Sequence, residues 1–177
     1  FLMKLFKSFF FILIFLSLSV NFLKAEDKVS YIDIDYVLTN TIAGKELLNT
    51  LKKEEELKID EFKSSDYNFK IEENKILAKR NIISKKEIND ELKLLQVEFQ
   101  KYKQEKTKKI EELKNKRNRN IINFLNKINP ILEKYMADNS IYMLLDKKDV
   151  FIANNNYDIT KKLIELIDNQ IKTIEIM

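Results

Sequence analysis

Cysteine and histidine are absent from this chain, and glycine and proline occur once each in 177 residues. Without cysteine there are no disulfides and no thiol nucleophiles; without histidine there are no Ser-His-Asp triads and no histidine-bearing metal sites. A single glycine cannot form the Gly-rich loop that cradles phosphates. Carboxylate pairs such as Asp33 and Asp35 remain, but nothing around them suggests a pocket. No catalytic, metal-binding or cofactor-binding residue is assigned, and the chain is not expected to be an enzyme. The two breakers, Gly44 and Pro130, enclose 85 residues that contain neither type. A domain of many short elements needs positive-φ turns and fixed-φ corners. This stretch lacks them and is dense in Lys, Glu, Leu and Ile, which lose little entropy in a helix. It predicts a long helical arm or hairpin on a small head.

Residues 1–25 have the three-part layout of a secretory signal peptide. Lys4 and Lys7 form a basic n-region, Ser8 to Val20 is an apolar run, and Ala25 offers a small residue at the cleavage position. The run is shorter than the ~20 residues of a membrane-spanning helix; the competing possibility is an uncleaved membrane anchor. Cleavage would remove Lys4, Lys7 and Lys24 and no acid, lowering the net charge from +4 to +1. That balance gives no support for a nucleic-acid partner. Such a leader is expected to direct the chain through the inner membrane.

Residues 45–129 read as two helical arms. Phe62, Phe69, Ile76 and Ile83 fall seven apart, the spacing of a coiled-coil seam. Ser84-Lys85-Lys86-Glu87 fits a capping box and places the tip near 83–87. A second seam follows at Ile88, Leu92, Leu95, Phe99 and Tyr102, then at Leu113. Two seams about a capped turn predict an antiparallel hairpin of about 40 residues per arm, roughly 60 Å long at ~1.5 Å per residue. The seam is interrupted by Glu55 and Asp66 on the first arm and Lys106 on the second, which predicts a flexible arm. Residues 101–119 carry nine Lys or Arg against three Glu. Such a stretch can contact an anionic membrane surface, or it is simply a solvated helix face.

Residues 26–44 and 130–177 form the head. Val29 to Ile34 reads as a strand, and Asn129-Pro130 as a helix restart. Ile141 to Asp146 and Val150 to Ala153 read as a hairpin about a turn at Lys147 to Asp149. Asp158 is expected to cap a last helix with Leu163, Ile164, Ile167 and Ile171 on its apolar face. The expected fold is mainly α with small β: a long antiparallel hairpin (a coiled-coil arm) on a small three-stranded α/β head that oligomerises. Self-association follows because so small a head is marginal alone and three strands leave two open edges.

The pieces, in this order, resemble the Skp (OmpH-like) family of periplasmic chaperones. The resemblance rests on KVSYIDIDYVL at 28–38, Ala43-Gly44-Lys45, IYMLLDKKDVFIA at 141–153 and YDIT at 157–160. It implies a periplasmic homotrimer whose heads share a β-structured body, with arms enclosing a cavity. Unfolded outer-membrane proteins would be held there without ATP. Ile32, Ile34, Leu144, Leu145, Val150 and Ile152 are the candidate oligomerisation residues. Phe62, Phe69, Phe99 and Tyr102 are the candidate client-binding residues, and the hairpin seam is their plainer role. The alternative function is a coiled-coil spacer of the cell envelope, held by the uncleaved leader. A charge placed at Ile152 is expected to give unfolded or monomeric chain.

Overall fold

The computed structural model describes residues 28–177, and the signal-peptide assignment to 1–25 lies outside them. The fold class is as expected, mainly helical with a small sheet. Strand β1 (Lys28–Ile32) enters helix α1 (Ile34–Asn40) directly, followed by the first long helix, α2 (Ile42–Ala78). A 3-10 turn at Lys79–Asn81 leads to the second long helix, α3 (Lys85–Asp138). Strand β2 (Ile141–Asp146) and, after two short 3-10 turns, helix α4 (Thr160–Gln170) complete the order. Among the described residues no helix is long and apolar enough to cross a membrane.

β1 and β2 are parallel, in a register that matches Val29 with Met143, Tyr31 with Leu145 and Ile32 with Asp146. The irregularity between Lys28 and Val29 skips Tyr142 on β2. The outer edge of β1 is occupied in part by a bridge to Asp158, with the Ile159 N–H donating to the Tyr31 carbonyl at 3.1 Å. β2 has no second partner among the described residues.

Three expectations for the head need correction. The sheet has two strands, because Val150–Ala153 does not fold back on β2. Asp146 caps the 3-10 turn after β2, accepting the Lys148 N–H at 3.2 Å, and the chain then leaves the sheet. Ile34 lies in α1, not β1: the Asp33 carboxylate accepts the Tyr36 N–H at 2.9 Å and starts the helix one residue after the strand. Pro130 does not mark a restart, since α3 runs through it. Phe124, Ile128, Ile131 and Leu132 are buried on either side of it. Their packing offsets the ~3 kcal/mol cost of a proline inside a helix.

The head core joins both arm roots to the last helix. Leu47 and Leu51 of α2 meet Phe124 and Ile128 of α3 and Leu163 and Ile167 of α4. The apolar face predicted for α4 is the one that packs inward. Asp158 accepts the Thr160 N–H at 3.0 Å, although Ile159 is the capping position.

Gly44 sits where α2 passes under α1. A Cβ there would stand 2.0 Å from the Leu38 carbonyl oxygen and 2.7 Å from the Thr41 hydroxyl. The nearest atom is backbone, so it cannot swing aside. Gly44→Ala is expected to destabilise the head by about 1–3 kcal/mol, the usual cost of overpacking, read as a lower urea midpoint at unchanged slope.

Candidate client-facing surfaces

The arms pack as an antiparallel pair whose apolar contacts are unevenly distributed. Leu51 at the root, and Ile76 and Ile88 near the tip, are buried. Along the middle, the seam residues Phe62, Phe69, Phe99 and Tyr102 are only half-buried. The Phe69 ring lies 5.1 Å from Phe99, edge-on, and 5.2 Å from Tyr102. The Tyr102 hydroxyl donates to the Phe62 carbonyl at 3.0 Å. The structure therefore brings Phe69, Phe99 and Tyr102 into one aromatic cluster between the helices, with Phe62 beside it through its carbonyl and through Lys106. Beside it opens a groove of ≈ 390 Å³ whose lining includes Phe69, Leu92, Leu95 and Phe99.

The charged interruptions of the seam pair across it. Lys106 donates to Asp66 at 2.7 Å and stands 5.5 Å over the Phe62 ring. Lys116 meets Glu54 at 2.7 Å and Arg117 meets Glu55 at 3.4 Å. Lys79 closes the tip end on Glu91 at 2.8 Å. Exposed pairs of this kind add little stability, but mismatched charges would penalise a slipped register. The capping box is complete: the Ser84 side chain accepts the Glu87 N–H at 3.2 Å, and Glu87 accepts the Ser84 N–H at 2.8 Å. Hydrogen bonding from Ser84 also holds the Glu87 carboxyl below the usual carboxylate range.

Lys106, Lys109, Lys116 and Arg117 of the basic stretch each have a carboxylate partner. Four of its nine cations are thus already compensated, which weakens its field toward an anionic surface. Leu57, Tyr67, Leu94, Val97 and Ile110 are exposed on the arms. They were not singled out in the sequence because they fall outside the seam. The available signal was surplus: apolar residues on a helix face that the seam does not need.

The candidate oligomerisation residues divide. Ile32 is fully inside the head core, with Ile34 and Leu144 packed against it. Leu145, Val150 and Ile152 line an open groove of ≈ 410 Å³ with Val29, Tyr31 and Tyr157. Phe151 is fully exposed and Ile152 is 85% exposed. Among the described residues no cluster of three or more acidic groups could hold a metal ion.

A family model described as "Outer membrane protein (OmpH-like)" matches residues 28–167. No curated protein matches the chain. Among solved structures, a similar fold is a crystal structure at 2.83 Å of a candidate outer membrane chaperone (OmpH-like) from Caulobacter crescentus CB15. It shares 18% identity at a TM-score of 0.73, over 83% of this chain and 87% of that one.

The pair at the middle of the arm makes a pH prediction. Hydrogen bonding from Lys106 holds the Asp66 carboxyl below its ordinary value. Asp66 in turn raises Lys106. A lowered carboxylate stabilises above its unfolded pKa and ceases to do so as pH falls through the folded value; a raised lysine stabilises until pH climbs through its folded value. The pair is therefore intact across neutral pH and lost in acid. Helical melting followed by circular dichroism should fall between pH 7 and pH 3, with a smaller fall in Asp66→Asn. Tyr102→Phe should cost about 1 kcal/mol at neutral pH through the lost hydroxyl bond.

Proposed function

Because the chain belongs to the OmpH-like family, we propose that it is an ATP-independent holdase of the periplasm that binds unfolded outer-membrane proteins between its arms and prevents their aggregation. The observation that carries this reading is the arm itself. Its interior is half-buried aromatic and charged rather than a closed apolar seam, and further apolar side chains stand exposed along both helices. Such a surface offers many shallow contacts, and several arms around one client raise the effective concentration of each contact. Holding stays reversible because no single contact is strong, so release needs no nucleotide and no enzymatic step. We assign no catalytic role to any residue.

The homotrimer is part of the same proposal. Among the described residues the β2 edge is unpaired, and beside it stand Phe151, Ile152 and the groove of Leu145 and Val150. Exposed edges and contiguous apolar patches are the features that self-association covers. Leu145, Val150 and Ile152 are the assembly residues we retain, while Ile32, Ile34 and Leu144 serve the core of each protomer. Contact of the second arm with an anionic membrane surface remains a subsidiary proposal, carried by its unpaired lysines. No nucleic acid is invoked.

Native mass spectrometry of residues 26–177, mixed with a urea-denatured outer-membrane β-barrel as the denaturant is diluted, tests the function. We expect a trimer carrying one client. A stable oligomer that leaves the client to aggregate would replace the holdase with the envelope spacer. Ile152→Asp tests the assembly. Since Ile152 stands free of the protomer core, the variant should remain helical and dissociate to monomer, which selects the second of the two outcomes expected from sequence, unfolded or monomeric chain. A normal trimer would place the interface elsewhere.

A further inference from the structure

The family match stops at residue 167, and the chain goes on for ten more. α4 ends at Gln170; Ile171 turns extended at φ −127° and ψ 114°, and residues 171–177 run back in non-helical form along α3. Ile171, Ile174 and Ile176 pack against the head core. The Asn123 side-chain amide donates to the Glu175 carbonyl at 3.2 Å.

Asn120 makes the most specific contact. It is a polar side chain with no exposure, and the structure spends its carboxamide on main chain only. Its Oδ1 accepts the Met177 N–H at 2.8 Å, while its Nδ2 donates to the Met177 main-chain oxygen at 3.2 Å and to the Lys116 carbonyl at 2.8 Å. A carboxamide paired with both the N–H and the main-chain oxygen of one residue reads an extended backbone and is indifferent to the side chain attached. Ile171, Ile174 and Ile176, each partly buried, supply the remaining contact with the core. Strand-like peptides are recognised in this way, affinity coming from main-chain bonds and apolar pockets. The seat lies between the head core at Phe124 and the first ion pairs across the arms, Lys116–Glu54 and Arg117–Glu55. It is therefore at the root of the arms.

We propose that the surface around Asn120 is a binding site for extended apolar polypeptide, and that residues 171–177 fill it as a tethered competitor. Tethering keeps the tail at an effective concentration in the ~mM range, so an incoming segment displaces it only when it is long, extended and held elsewhere on the arms. A folded β-barrel offers no such segment, and the tail then re-enters its seat. This second step rests on the holdase reading; the existence of the seat does not.

The test uses full-length chains and a fluorescent peptide of residues 171–177. Ile174→Asp/Ile176→Asp should release the tail and bind the peptide saturably, at least tenfold more tightly than wild type does. Adding Asn120→Ala to that variant, or replacing the peptide's methionine with proline, should abolish binding. Equal affinity for wild type and variant, or indifference to Asn120 and to proline, would overturn the seat. Wild type gives a second reading that needs no variant. With a saturating denatured β-barrel polypeptide, hydrogen exchange should rise in 171–177 while 160–167 stays protected. A client complex with an undisturbed tail would overturn the competition and leave the holdase standing. Absence of any client complex alongside saturable peptide binding would overturn the holdase and leave the seat standing.

Discussion

Two parallel strands cannot be joined by a tight turn. The chain must leave one end of the sheet and re-enter beside the end where it began, and the connection must be long. In this protein the obligatory crossover between β1 and β2 is the arm: α1, α2, the tip and α3 all lie within it. A two-stranded sheet is marginal in water, so it depends on the helix roots that pack beside it. Leu47 and Leu51 on the outgoing helix and Phe124 and Ile128 on the returning one belong to the same core as Ile32. The arm cannot change its angle at the root without disturbing that core, nor can the head form without both roots in place. Gly44 sits at the tightest point of this junction, which explains why the only glycine of the chain is there.

Beyond the root the constraint relaxes. Burial is complete where α2 and α3 enter the head and near the tip at Ile76 and Ile88, and partial between. Ion pairs and half-buried rings hold the middle in register without the dense packing that would stiffen it. An arm clamped at both ends and loosely zipped between them opens locally at low cost. That is the property a surface needs if it is to meet many unrelated extended chains and release them.

Local features were legible in the sequence. The seven-residue spacing of Phe62, Phe69 and Ile76 and the Ser84–Glu87 box depend on residues close in the chain, and the structure contains both. Ile83, expected to continue that seam, lies in the bend between the helices because α2 ends at Ala78. What failed depended on distant partners. Val150–Ala153 has strand composition, but the Asp146-capped 3-10 turn carries it away from the sheet, and the partner β2 does take is β1, more than a hundred residues away. Pro130 looks like a boundary until Ile128 and Ile131 are known to be anchored on the core. Ile34 continues an apolar run, yet Asp33 ends the strand by capping a helix. The candidate sites suffered from the same blindness. Spacing located the aromatic cluster of the arm but could not separate seam from surplus, and nothing marked Asn120, one of many asparagines, as fully buried.

The chain treats its two apolar liabilities differently, and the difference is physical. At the arm root, apolar surface is covered by a segment of the same chain, held by three side chain–main chain hydrogen bonds and three isoleucines. Such a cover is always present and is removable, because few groups must be released at once. On the head, Phe151 and Ile152 stand uncovered beside an unpaired strand edge. No segment among the described residues shields them, and the proposed assembly would supply a cover from outside the protomer. The two surfaces therefore carry different marks. One has a weakly held intramolecular occupant, and the other has none among the described residues.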